Sequence, residues 1–125
     1  MHINEILKKP EGRRLEFKET IPTQLGLPKT VIAFANDAGG EIYIGVRDNP
    51  REAVGLPEDK LVELEEQIGD IIYDCCYPVI LPDISFVRVE DKYLIKIIIY
   101  RGNMPPYYLK EKGKTNGTYN RIGSA

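Results

Sequence analysis

Histidine is all but missing from this chain of 125 residues: His2 is the only one, which removes histidine-based triads and histidine metal cages from consideration. Cysteine is equally scarce. Cys75 and Cys76 are adjacent, so they are poorly placed to bridge each other and lack the spaced partners of a zinc site. They read as two small apolar residues near a helix end. Long apolar runs are absent too, the stretch 94–100 falling far short of the ~20 residues a membrane span needs. The opening Met1-His2-Ile3-Asn4-Glu5 has neither the basic start nor the apolar middle of a signal peptide. A cytoplasmic location with no membrane partner is therefore expected. A glycine-rich loop of the form G-x-x-x-x-G-K-[ST] between a strand and a following helix is missing as well, and Gly39-Gly40 runs the other way, from helix into strand. A doubly wound nucleotide fold is excluded, and ATP is not expected as a cofactor. Any catalysis has to rest on carboxylates, lysine, tyrosine or a metal.

What is present is an ordinary globular composition, 42% hydrophobic and 29% charged, in a length that suits one domain with a single packed core, residues 1–125. The net charge of −2 argues against an overall basic footprint, but it hides an asymmetry. Residues 1–55 carry eight basic and eight acidic groups, residues 56–91 two basic and ten acidic, and residues 92–125 seven basic and one acidic. If the acidic segment is one helix facing solvent, the opposite surface can still be a basic field that recruits phosphates. The alternative is that both blocks are simply solvated faces.

The pattern predicts a short helix over residues 3–8, ended by Pro10 and Gly12. Residues 15–19 alternate as a half-buried strand does, with Leu15 and Phe17 toward the core and Glu16 and Lys18 together on an accessible face. Pro28 opens a helix carrying Val31, Ile32, Phe34 and Ala35, and Gly39-Gly40 provides the permissive backbone for its exit. Residues 41–46 form a strand with Ile42, Ile44 and Val46 on one face and Tyr43 and Gly45 on the other. Close packing accounts for Gly45 more readily than a ligand does. A turn then exposes Asp48. Residues 57–75 keep helical apolar spacing with Glu and Asp filling the outer face. Residues 84–89 and 92–100 read as a hairpin closed at Glu90-Asp91. Shorter strands are expected at 107–110 and 118–122 around a turn at 113–117. This order of elements gives an α+β fold, a two-layer sandwich with a mostly antiparallel sheet covered by two main helices.

Four separated motifs then stand in order: Glu11 with Leu15-Glu16-Phe17-Lys18; Ala33-Phe34-Ala35-Asn36 with Gly39-Gly40; Ile44-Gly45-Val46 with Asp48, then Gly55; and Gly117-Thr118-Tyr119-Asn120-Arg121-Ile122-Gly123. In these the chain resembles the AlbA-like domain of the Schlafen proteins and of many bacterial regulator and helicase-like proteins, also called AlbA_2 or divergent AAA-4, from Glu11 to Ser124. The resemblance implies an AlbA-like fold, a role in binding DNA or RNA, and placement at the front of a longer regulatory or helicase-related chain.

Three functions stay open. As a binder that does not cut, the domain has a C-terminal block in which Tyr93, Tyr100, Tyr107, Tyr108 and Tyr119 interleave with Lys96, Arg101, Lys110, Lys112, Lys114 and Arg121, with Lys18, Arg13 and Arg14 able to extend the patch. Binding of this kind requires no cofactor. For any one tyrosine, an amphipathic strand residue is the simpler account. The resemblance also implies a metal-dependent ribonuclease, because similar Schlafen members use three acids that match Glu11, Glu16 and Asp48. Such a set of hard oxygens suits Mg or Mn, with Lys18 holding the phosphate. The third option is a dimerisation or interaction module, using sheet edges and the apolar run 97–99 for a homodimer.

Overall fold

The computed structural model describes residues 3–23 and 25–121. His2 and the final Ile122, Gly123 and Ser124 of the last motif lie outside the described residues. In chain order the elements are α1 (Ile3–Ile6), β1 (Leu15–Lys18), α2 (Gly26–Asn36), β2 (Gly40–Ile44), β3 (Val46–Arg47), β4 (Glu52–Ala53), a 3-10 turn (Glu58–Lys60), α3 (Leu61–Cys75), β5 (Cys76–Tyr77), β6 (Asp83–Val89), β7 (Lys92–Ile99), β8 (Tyr108–Leu109) and α4 (Gly113–Gly117). No helix among the described residues is long and apolar enough to cross a membrane.

The main sheet has the order β1-β2-β7-β6, with β1 parallel to β2 and the other pairs antiparallel. The α+β architecture with two main helices is as the pattern implies. α2 and α3 cover one face, where Leu27, Ile32 and Phe34 meet Ile42, Ile44, Ile68, Ile72, Ile95 and Ile97 in the main core. Each fully buried side chain of this size contributes roughly 1.5–3 kcal/mol. The reverse face carries a smaller cluster of Phe17, Tyr43, Val46, Val89 and Leu94, capped by Ile3, Ile6 and Leu7 from the first helix and turn.

Four local readings change. The strand read over 41–46 breaks at Gly45, where a φ of +106° and a hydrogen bond from its N–H to the Lys18 carbonyl form a kink. Val46 is thereby carried to the face of Tyr43 rather than that of Ile44. A Cβ at Gly45 would come within 2.9 Å of Leu94 Cδ2, so close packing explains this glycine. Residues 113–117 form a short helix, and Thr118 makes only an isolated bridge to Tyr108 in place of the expected last strand. The run 97–99 belongs to the fold itself: Ile97 and Ile99 are buried in the main core and are not free for pairing with a second copy.

Candidate nucleic-acid interface

Alternation along β1 predicts a solvent face for Glu16, and the structure corrects this. β1 aligns Glu16 with Ile42 and Lys18 with Ile44, which puts both charged side chains under the helix layer while Phe17 takes the smaller core. Glu16 is 8% exposed. Its carboxylate accepts hydrogen bonds from Arg121 Nη1 at 2.7 Å and Thr30 Oγ1 at 3.0 Å, and lies 2.6 Å from Lys18 Nζ. Burial alone would raise its pKa, but hydrogen bonds and charge from Lys18 and Arg121 outweigh burial and hold it below the ordinary carboxylate value.

Arg121 is likewise buried, which corrects its reading as a surface contact for nucleic acid. The rest of its guanidinium donates to the Gly12 carbonyl at 2.9 and 3.2 Å and to the Leu15 carbonyl at 3.3 Å, and it stacks on Phe34. Glu11 accepts the Phe17 amide at 2.9 Å. Since β1 is an edge strand, Glu11 and Arg121 together satisfy backbone groups on its open side. Asp48 is exposed, as expected, and pairs with Arg51 at 3.3 Å. The three acids of the nuclease reading thus each have partners of their own. Among the described residues no group of three or more His, Cys, Asp or Glu is placed to hold a metal ion. Glu11, Glu16 and Asp48 are thus not grouped as a metal-holding set in this arrangement.

The second motif positions the chain around this hub. Asn36 donates to the carbonyls of Tyr107 and Tyr119 at 2.9 and 2.8 Å and accepts the Tyr107 amide at 2.7 Å, clamping the C-terminal segment onto the end of α2. Gly39 has φ of +79°, and a Cβ there would sit 2.6 Å from the Ile99 carbonyl oxygen and 3.0 Å from the Arg101 nitrogen. Only glycine lets the helix exit pass so close to the end of β7.

That close approach shapes one wall of a groove of about 540 Å³, lined by Lys9, Arg14, Gly39, Gly40, Tyr100 and Arg101, among others. Arg14 and Arg101, separated by most of the sequence, meet here, and both are exposed. Glu41 also lines the groove, but Lys96 lies 3.6 Å from it, and its other oxygen accepts from Tyr43. Beside the groove Arg13 makes a two-pronged bond to Asp37 at 2.6 and 2.7 Å. Its hydrogen bond and charge raise the pKa of Arg13 and lower that of Asp37. Glu41 and Asp37 are therefore neutralised, while Asp83 at the edge of the groove accepts from the Tyr100 hydroxyl at 3.3 Å, and Lys9, Arg14 and Arg101 supply the positive charge of the lining.

The other basic residues do not continue this surface. Lys96 aligns with Tyr43 on the reverse face of the sheet and reaches the groove only through its pairing with Glu41. Lys110 donates to the Tyr73 carbonyl at the end of α3. Lys112 shares a separate hollow with Lys29, and Lys114 is exposed on α4. Tyr119 lies beside Lys18 and Arg121 in another hollow, with Lys29 Nζ 5.6 Å from its ring centre. Lys9 and the Gly39-Gly40 backbone are contributors to the groove that sequence reasoning missed. Adjacent lysines Lys8 and Lys9 after a short helix were the one available signal.

A mixed sheet under two helices, with a C-terminal arginine locked against the first strand and a groove lined by Lys9, Arg14 and Arg101 beside a Gly-Gly exit, defines a small α+β domain with a cationic groove. The chain belongs to the Schlafen AlbA_2 family, whose model matches residues 11–125. It is 30% identical over 92 residues to an uncharacterized ATP-binding protein of Ureaplasma parvum, a match covering 71% of this chain and 26% of that protein. The chain thus spans about a quarter of that curated relative's length. Its structure is similar to the N-terminal domain of a Nitrosomonas europaea protein described as related to the ATP-dependent DNA helicase RecG. That similarity has a TM-score of 0.75 and 26% identity, over 98% of this chain and 87% of that one. A Corynebacterium diphtheriae protein shares the fold, with a TM-score of 0.63 and 17% identity over 98% of this chain and 25% of that one.

Proposed function

We propose that this chain is a nucleic-acid-binding domain that serves a larger regulatory or helicase-related protein and does not itself use ATP. The observation that carries the reading is the groove in which Lys9, Arg14 and Arg101 converge while Glu41 and Asp37 are neutralised by their own partners. Three cations lining one groove attract a phosphate backbone and release its counterions. Family membership and a neighbour named for a DNA helicase support the same assignment. The Ureaplasma relative is named for ATP binding, but this chain has no glycine-rich loop from strand to helix, and the reading gives ATP no part in it. The test is a gel-shift series with labelled DNA and RNA at low salt, with and without Mn, read on native and denaturing gels. The proposal predicts a shift without shortening, Mn or not. Absence of any shift, or Mn-dependent shortening lost in Glu16→Gln, would contradict it.

A further inference from the structure

Readers of duplex DNA place a helix or a β-ribbon between two phosphate walls, in a groove about 12 Å wide. Among the described residues no element is suited to that. α2 is buried along most of its length, α3 presents the acidic face of Glu63, Glu66, Asp70 and Asp74, α4 has only five residues, and the tip of the β6–β7 hairpin sets Glu90 and Asp91 against Arg88 and Lys92, with no net positive charge. Acidic elements are repelled from the groove they would have to enter.

The surface offers a concave path in their place. The basic groove of about 540 Å³ and a second hollow of about 330 Å³ share Tyr100 and Arg101 as a common wall. On one side stand Lys9 and Arg14; on the other stand Val79 and Leu81. Tyr100 is 61% exposed, with its hydroxyl donating to Asp83 at 3.3 Å, and Leu81 is 79% exposed, so a ring face and an aliphatic side chain are left open to water beside Lys9, Arg14 and Arg101. Paired bases have their faces stacked away inside a duplex, whereas unpaired bases have aromatic faces to cover. A surface that sets cations for the backbone next to an aromatic ring and aliphatic side chains matches the unpaired form.

We propose that the domain takes single-stranded nucleic acid across the Tyr100–Arg101 ridge, with phosphates on Lys9, Arg14 and Arg101 and a base stacked on Tyr100 against Leu81. The inference rests on the nucleic-acid reading above and adds strandedness and place to it. The experiment is an anisotropy titration of the purified chain with one labelled sequence as single-stranded DNA, single-stranded RNA and duplex DNA, at about 50 and 200 mM salt. Single strands should bind at least about tenfold more tightly than the duplex. Arg14→Ala with Arg101→Ala should weaken single-strand binding about tenfold or more and flatten its salt dependence. Tyr100→Ala should weaken it about fivefold or more with the salt dependence kept, and Tyr100→Phe should bind as the parent does. Lys112→Ala with Lys114→Ala, far from the ridge, should change little. Equal or tighter binding of the duplex, or arginine variants that bind like the parent while circular dichroism shows them folded, would overturn the ridge while leaving a nucleic-acid-binding domain. No binding to any of the three would overturn both.

Discussion

At the scale of single residues, the buried Glu16–Arg121 pair dominates. Taking two charges out of water is costly, and the pair persists because Thr30, Lys18 and the Gly12 and Leu15 carbonyls satisfy the remaining donors and acceptors. Glu16→Gln leaves the Arg121 guanidinium buried without its counter-charge, and should cost about 3–5 kcal/mol in urea unfolding. A loss under ~1 kcal/mol would show that water reaches the pair. The pH dependence has a definite sign. The folded-state pKa of Glu16 is lowered, so its contribution is fully present above the unfolded-state value and is lost as pH falls through the folded one. Urea midpoints across the acid range should therefore fall more steeply for the parent than for Glu16→Gln. Cys76 behaves differently. Burial pushes its thiol up to about 12, so thiol reagents at neutral pH should leave it unmodified in the folded chain.

At the scale of elements, α2 and the C-terminal segment are held together by one side chain. Asn36→Ala removes three hydrogen bonds to backbone and leaves the Tyr107 amide to find a new partner. The expected cost is about 1–3 kcal/mol, with hydrogen exchange at the Tyr107 amide accelerated more than at the Ile97 amide in the central strand. Equal acceleration at both sites would mean global destabilisation and no local clamp. Gly40 tests the same region by packing. A Cβ there would lie 2.7 Å from three carbons of the Phe34 ring, so Gly40→Ala should destabilise by about 1–3 kcal/mol in the same unfolding assay.

Elements with local causes were legible in the sequence. The acidic face of α3 follows from its helical spacing, and the β6–β7 hairpin follows from two apolar runs meeting at Glu90-Asp91, where Glu90 takes a φ of +57°. Readings failed where a distant residue decided the outcome. Alternation in β1 gives Leu15 and Phe17 one face and Glu16 the other, but cannot reveal that Arg121 arrives from 105 positions away to make the charged face a buried one. The kink at Gly45 moved Val46 across the sheet because a residue with positive φ interrupts a period of two. The meeting of Arg14 with Arg101 was invisible for the same reason, since Arg101 is placed by the close approach of the chain to Gly39 and Arg14 by its carbonyl accepting the Glu41 amide at 2.9 Å.

At the scale of the whole molecule, the net charge of −2 is divided between an acidic side on α3 and a groove that concentrates three cations. A phosphate chain approaching this field is steered away from the helix and toward the groove. With roughly 0.7 counterions released per phosphate of a single strand, three contacts give a slope of about −2 for log affinity against log salt. A slope near zero in a salt series would point to a contact that is not electrostatic.

The most direct measurement is amide chemical-shift mapping of the labelled domain during titration with a short oligonucleotide. If the groove is the binding surface, the largest shifts fall on Arg14, Gly39, Gly40, Arg101 and Gly102, while the amides of α3 from Glu63 to Asp74 stay in place. Shifts confined to α3 or to the β6–β7 hairpin tip, or no shifts at low salt, would contradict the account.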